Sequence, residues 1–257
     1  MQTNRTLLLA AAGIAALTLA GCGGGGNKAS SENAVATNAV VNTGTGAVTA
    51  PNGDWTQVVV ETPEGGYRMG NPNAPVKLIE YGSRTCPHCG HFAEEGEPEL
   101  KKNYVATGKV SYEFRDFAIH APDVAAILLG QCNGAQTFFP ILEQMFANQD
   151  NVLSKLENIP TSITDSLKGK SVNEQAKIWG DYLGYTDFVG QRGVPQAKAE
   201  QCLSSKAAVD ALAKHMEEGQ QKYNITGTPA FIVNGNVVTN AYDWKTLEPA
   251  LKSALGG

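Results

Sequence analysis

The sequence lacks concentrated positive charge. Its 20 Lys and Arg are outnumbered by 25 Asp and Glu, giving a formal net charge of −5, and no basic tract stands out. That argues against the electrostatic footprint of a nucleic-acid binder and against a polybasic membrane-surface patch. Residues 23–54 contain no aromatic side chain, and Lys28 and Glu32 are nearly their only charges. A stretch so composed has nothing from which to build a core. The apolar run at residues 7–20 falls short of the roughly 20 residues that a spanning helix needs. What remains is ample: over 257 residues, 42% are hydrophobic and 18% charged, enough for one or two domains. Cysteine is sparse, and its odd count of five, at unequal spacings, makes it the most informative residue type.

The first 21 residues read as a targeting segment. Arg5 precedes the apolar run, which has the length of a signal-peptide core. The run ends Leu19-Ala20-Gly21-Cys22, which resembles the lipobox of bacterial lipoproteins. The resemblance implies cleavage before Cys22 and acylation of Cys22. Several acyl chains make stable attachment, where one is marginal. Gly23 after the cysteine favours the outer membrane over the inner by that family's sorting pattern. Residues 22–54 then form a flexible linker whose typical span is roughly 30 Å.

Residues 55–257 carry the folded pattern. Trp55 to Glu61 reads as a strand, β-branched and bounded by Asp54 and Pro63. Gly65-Gly66 and Gly70 to Pro75 are turn chemistry. Val76 to Tyr81 is a second strand, followed by a helical stretch from His91 to about Ala106 that Pro98 is expected to kink. Gly108 ends it, and Val110 to Arg115 is a third strand, so the order strand, helix, strand is a βαβ unit. A mostly helical region follows, about 121–222, with apolar stripes such as Val124, Ile127 and Leu128, then Phe138, Ile141, Leu142, Met145 and Phe146, and later Val172, Ala176, Trp179 and Leu183. Pro229 to Val233, Asn234-Gly235 and Val237-Val238 form a hairpin, with Asn-Gly as its turn. Asp243 is placed to cap a last helix bearing Leu247, Leu251 and Leu255. The expected class is α/β, a mixed sheet with an inserted all-helical domain.

The chemistry concentrates at Cys86-Pro87-His88-Cys89. A C-x-x-C beside a βαβ pattern reads as a redox pair. Cys86 falls where strand gives way to helix, and Pro87 suits the first helical turn because its missing N–H is unneeded there. Cys86 then faces unpaired backbone N–H groups and the positive end of the helix dipole, a setting that lowers a thiol pKa. His88, if protonated, adds positive charge, and Arg84 adds some more weakly. Cys89 lies three residues on, on the same helical face, able to close or resolve a disulfide. A stabilised thiolate favours the reduced form and makes the disulfide oxidising. Other readings stay open at this point: half a zinc site, a copper or zinc trap using Cys86, His88, Cys89 and His91, or a purely structural disulfide.

With Cys86-Pro-His-Cys89 after the strand at 76–81, and Gly227-Thr-Pro-Ala-Phe-Ile-Val-Asn-Gly235 downstream, residues 55–257 resemble the DsbA family of thioredoxin-fold thiol–disulfide oxidoreductases. The resemblance implies that Pro229 is a cis proline beside Cys86. It implies that the Thr228 backbone pairs with an extended substrate peptide. It also implies that Glu80, six positions before Cys86, is a buried carboxylate that takes the Cys89 proton. No cofactor and no resident metal are expected. Of the five cysteines, Cys22 is assigned to lipid and Cys86 with Cys89 to redox chemistry. Cys132 and Cys202 remain, either bridged in an exported compartment or as two buried free thiols. Many DsbA-type proteins lack such a second pair.

The expectation is therefore a lipid-anchored, periplasm-facing monomer that exchanges its Cys86–Cys89 disulfide with cysteine thiols of exported proteins. By resemblance, a quinone-linked DsbB-like membrane partner would reoxidise it. The competing expectation within the class is an isomerase or reductase kept reduced by a DsbD-like membrane donor. Thr228 leans that way, whereas Pro87-His88 and the lack of a dimerisation domain lean toward the oxidase. From other classes come the metal-binding lipoprotein and a tethered scaffold without catalysis.

Overall fold

A computed structural model describes residues 48–257 of the chain. The signal-peptide pattern, Cys22 and most of the linker lie outside the described residues. Asp54 caps a single turn of 3-10 helix, Trp55–Gln57, by accepting from the Thr56 N–H at 2.9 Å. Only the end of the expected first strand is therefore extended, as β1 (Val59–Glu61). It returns through Gly65-Gly66 into β2 (Tyr67–Met69), which the turn residues on both sides conceal in the sequence. Three residues are too few to show a period-2 pattern, and β2 is defined by pairing with its neighbours on both sides.

The sheet has six strands in the order β1-β2-β4-β3-β5-β6, with β3 (Val76–Gly82), β4 (Val110–Asp116), β5 (Ala230–Val233) and β6 (Asn236–Val237). Only β3 and β4 run parallel, as the βαβ unit requires. Asn234 (φ 48°) and Gly235 (φ 84°) take the two left-handed positions of the β5–β6 turn, which is why Asn-Gly stands there.

Alternation along β3 decides what faces the chemistry. Val76 and Leu78 point into the larger core, and Tyr81 into a smaller cluster with Phe117, Ile225 and Ile232 on the opposite face. Glu80 shares the parity of Val76 and Leu78, so a carboxylate is driven into the apolar side.

Against that side lies α1 (Pro87–Glu95), continued by α2 (Glu97–Leu100) and a wider π turn, Lys101–Val105. The expected helix thus starts earlier than His91 and breaks at Gly96. Pro98 lies within the first two positions of α2, where its missing N–H costs nothing. Phe92 of α1 meets Phe231 of β5 with ring centroids 4.7 Å apart. The last helix, α11 (Trp244–Ala254), is capped by Asp243 as expected, with Thr246 N–H donating at 2.8 Å. It buries Leu247 and Leu251 completely, each contributing about 1.5–3 kcal/mol.

Between β4 and β5 come eight helices: α3 (Ala121–Gln131), α4 (Ala135–Ala147), α5 (Gln149–Glu157), α6 (Thr161–Leu167), α7 (Val172–Leu183), α8 (Tyr185–Gly190), α9 (Gln196–Ser204) and α10 (Lys206–Tyr223). They form their own core around Ala125, Leu129, Trp179, Val189 and Leu203. Helix α4 belongs to both cores. Phe138, Phe139, Leu142 and Phe146 pack on the sheet side, while Ile141 and Met145 enter the helical core. Its apolar residues are therefore two faces, not one stripe. Val172, read as part of a stripe, is 49% exposed at the first position of α7.

Candidate active site

The C-terminal end of β3 runs through Ser83, Arg84 and Thr85 to Cys86, the N-cap of α1, with Pro87 at its first position. Cys86 is 4% exposed and Cys89 fully buried, and both are free thiols. Cys86 Sγ lies 3.1 Å from the carbonyl oxygen of Thr228. The Thr228–Pro229 peptide bond is cis, and Pro229 is buried.

The two sulfurs are driven apart in acidity. Cys86 is lowered to about 5, first by the hydrogen bond from the Cys89 thiol, against the opposing effect of burial. The Thr228 side chain and the backbone N–H groups of Cys89 and His88 add to the lowering. The buried Thr228 hydroxyl has no other hydrogen-bond partner and is free to donate to an ionised sulfur. Burial pushes Cys89 well above the ordinary thiol range, and the neighbouring Cys86 and the charge of Glu80 push it further.

Glu80 is 1% exposed and accepts from the Tyr112 hydroxyl at 2.7 Å. Burial raises its pKa well above the carboxylate range, the Tyr112 bond lowers it, and the charges of Glu97 and Cys86 raise it. Glu80 is thus a buried carboxyl of raised pKa within the electrostatic reach of both sulfurs.

Two sequence expectations about positive charge change. His88 acts on Cys86 through its backbone N–H, while its exposed ring stands 6.4 Å from that of Tyr242. Arg84 is 1% exposed, paired with Asp116 and set near the rings of Phe114 and Phe138 at 6.0 and 5.8 Å. It is a core cation rather than a partner of the thiolate. The metal trap is not assembled either. His91 Nε2 faces Glu95 at 3.3 Å, and among the described residues no group of three or more His, Cys, Asp or Glu could hold a metal ion.

Sequence reasoning missed the support beneath the loop. Asp123, fully buried at the start of α3, accepts from Ser83 Oγ (2.9 Å), from Thr85 N and Oγ1 (both 3.0 Å), and from the N–H groups of Ile119 and His120 (3.0 and 3.1 Å). Exposed His120 sets Nδ1 2.8 Å from Thr85 Oγ1. The available signal was Pro122-Asp123, a helix start with an acid in its first turn. Tyr112 was readable only as a strand residue, because its role appears once β4 lies beside β3. Cys132 and Cys202 are bridged, with Cα atoms 5.8 Å apart, well away in sequence from the redox pair.

The family model described as Thioredoxin matches residues 62–253. The chain belongs to the thioredoxin family. Helices α3 to α10 are inserted into that fold between β4 and β5. A crystal structure of a protein-disulfide isomerase from Novosphingobium aromaticivorans superimposes with a TM-score of 0.72 at 29% identity, covering 75% of this chain and 98% of that one. Wolbachia pipientis alpha-DsbA1 shares the fold, with a TM-score of 0.60 at 23% identity over 77% of this chain and 94% of that one. A Rickettsia felis protein described as a protein-disulfide oxidoreductase is 29% identical over 188 residues, 73% of this chain. The aligned part is 59% of that relative's own length.

Proposed function

We propose that this protein is a DsbA-type protein-disulfide oxidoreductase, acting as an oxidase on exported proteins. The observation that carries the reading is the asymmetry of the pair: Cys86 is lowered to about 5 while burial holds Cys89 protonated. In the oxidised enzyme, a client thiolate attacks Cys86 Sγ, forming a mixed disulfide. The Cys86–Cys89 bond breaks, and Cys89 leaves with the electron pair. Glu80 supplies the proton that a buried thiolate needs. A second client thiolate then attacks the client sulfur of the mixed disulfide. The client disulfide forms, and Cys86 leaves as a stabilised thiolate. Two electrons have passed from client to enzyme. A cleft of about 330 Å³, lined by Thr226 to Ala230 and Val237 to Tyr242, lies beside Thr228 and would receive the extended client chain.

Export is supported by the Leu19-Ala20-Gly21-Cys22 pattern and by the Cys132–Cys202 bridge, which suits an oxidising compartment. We place the protein at the periplasmic face of a membrane, anchored through Cys22, as a monomer reoxidised by a quinone-linked membrane partner. The isomerase or reductase reading is favoured by Thr228 before Pro229 and by the likeness to the Novosphingobium protein-disulfide isomerase.

The test is to trap the intermediate and count thiols. Cys89→Ala, with Cys86 first carried as its mixed disulfide with glutathione, should release glutathione to the attacking thiolate of a single-cysteine client peptide and accumulate the Cys86–client mixed disulfide, seen by mass spectrometry, and Cys86→Ser should accumulate none. Acid quench and alkylation in cells should find Cys86 and Cys89 mainly disulfide-bonded. A pair found mainly as thiols would give the isomerase or reductase reading. Equal client oxidation by Cys86→Ser and the parent protein would reject both and leave the scaffold.

A further inference from the structure

Gln149 opens α5, in the helices between β4 and β5, and is 5% exposed. Its Nε2 donates to the carbonyl of Arg84 at 2.9 Å and to the carbonyl of Cys86 at 3.0 Å. One amide thus spans the residue that precedes the nucleophile and grips the chain on both sides of Thr85. The Cys86 carbonyl also accepts the Gly90 N–H, at 3.1 Å, so it ties the first turn of α1 to the same point. At Gly90 a Cβ would lie 2.2 Å from Gln149 Oε1, so the missing side chain is what admits the amide. Nothing in the C-x-x-C pattern calls for either residue.

We infer that Gln149 is a positioning residue for thiol–disulfide exchange, clamping the Arg84–Cys86 backbone so that Cys86 Sγ is held against the N-terminal N–H groups of α1. The inference rests on the oxidoreductase reading above. The physical argument is geometric. Cys86 Sγ lies 3.1 Å from the Thr228 carbonyl, and what lowers its pKa is directional hydrogen bonding from the Cys89 thiol, the Thr228 side chain and the N–H groups of Cys89 and His88. Hydrogen bonds weaken steeply with misalignment, so a small swing of the Cys86 backbone loses several of them at once. Without Gln149 the Arg84 carbonyl loses the one hydrogen bond found for it, and a buried orphan of that kind drives the loop to move. Because the clamp is mounted on α5, it fixes the nucleophile from a helix outside the thioredoxin-type sheet.

Substitutions at two positions test this from opposite sides. Gln149→Leu and Gln149→Glu keep the volume but lose donors, the latter once ionised. Gly90→Ala keeps the amide and displaces it. The readouts are the ultraviolet titration of the Cys86 thiolate, the equilibrium with reduced and oxidised glutathione, and thermal stability. Each variant is expected to raise the Cys86 midpoint by about one unit and move the glutathione equilibrium about tenfold toward the disulfide. In a Gln149→Ala background, which opens the space, Gly90→Ala is expected to add nothing further. Variants that lose thermal stability while both redox readouts match the parent would overturn the inference and leave Gln149 a packing residue. If Gln149→Leu does not fold, Gly90→Ala and its double variant decide by the same readouts. A parent protein that forms no reversible disulfide with glutathione would instead overturn the oxidoreductase reading itself.

Discussion

Cys86 Sγ and the carbonyl oxygen of Thr228, 142 residues apart in sequence, lie 3.1 Å apart in space. A carbonyl accepts from S–H and offers nothing to S⁻, so this contact belongs to the protonated thiol. The Thr228 hydroxyl has the opposite preference, since it can donate to the ionised sulfur. The same residue therefore faces the nucleophile in both states. The balance is decided elsewhere, by the Cys89 thiol and by the backbone N–H groups at the start of α1.

The first prediction follows the charge on Cys86. Its folded pKa is depressed from 9.0 to about 5. The stabilisation of the reduced protein is then fully present above pH 9.0 and is lost as pH falls through about 5. Reduction takes up one proton per two electrons above the midpoint and two below it. The reduction potential should change by about 30 mV per pH unit above pH 5 and by about 59 mV below it. Potentials measured in glutathione buffers across pH 4 to 8 check this. A steep slope throughout would mean that Cys86 stays protonated.

Glu80→Gln separates the two consequences of a buried carboxyl. Glu80 has its pKa raised by burial, so its contribution to stability is fully present below the unfolded value near 4.5 and is lost as pH rises through the folded value. Gln keeps the shape without the charge. The variant should gain stability over the parent as pH rises from 4 to 8, read from denaturant midpoints. It should also slow the step in which Cys89 leaves or attacks by about a hundredfold, the low end for a lost proton donor or acceptor. Stopped-flow reduction of the oxidised enzyme by a client peptide reads that rate. An unchanged rate would remove Glu80 from the proton path and leave it a structural acid.

What the sequence shows and what it hides differ by the range of the interactions. Cys86 at a helix N-cap, Pro87 at its first position, the Asn234-Gly235 turn and the Asp243 cap are all local, set by neighbours within four residues. Local chemistry is legible because the chain carries it wherever the fold puts it. Glu80 was readable halfway: its parity with Leu78 is local, but its bond to Tyr112 needs β3 and β4 side by side. Asp123 and Gln149 were not legible as site residues. Their partners, Thr85 and the Arg84 and Cys86 carbonyls, lie 38 to 65 positions away. Strand β2 was hidden for the same reason, since three residues between glycines gain their extended form from neighbours on both sides.

The Cys132–Cys202 bridge should matter to stability and not to redox chemistry. It ties the end of α3 to α9 and closes a sequence separation of 70, worth about 2–4 kcal/mol in the chain-entropy account. Cys132 packs on the helical core with Leu129 and Trp179, whereas Cys86 and Cys89 lie in the sheet core. The two cores share α4, but no hydrogen bond runs from either bridged cysteine to the residues around Cys86; the Cys132 sulfur instead contacts the Lys198 carbonyl at 3.5 Å. Replacing both with Ala should lower the denaturant midpoint and leave the Cys86 titration near 5. Loss of stability with an unmoved titration would show that the bridge serves the helical core alone. A titration shifted upward together with the midpoint would show that strain in the helical core reaches the nucleophile, with the α5 clamp on Cys86 as its path.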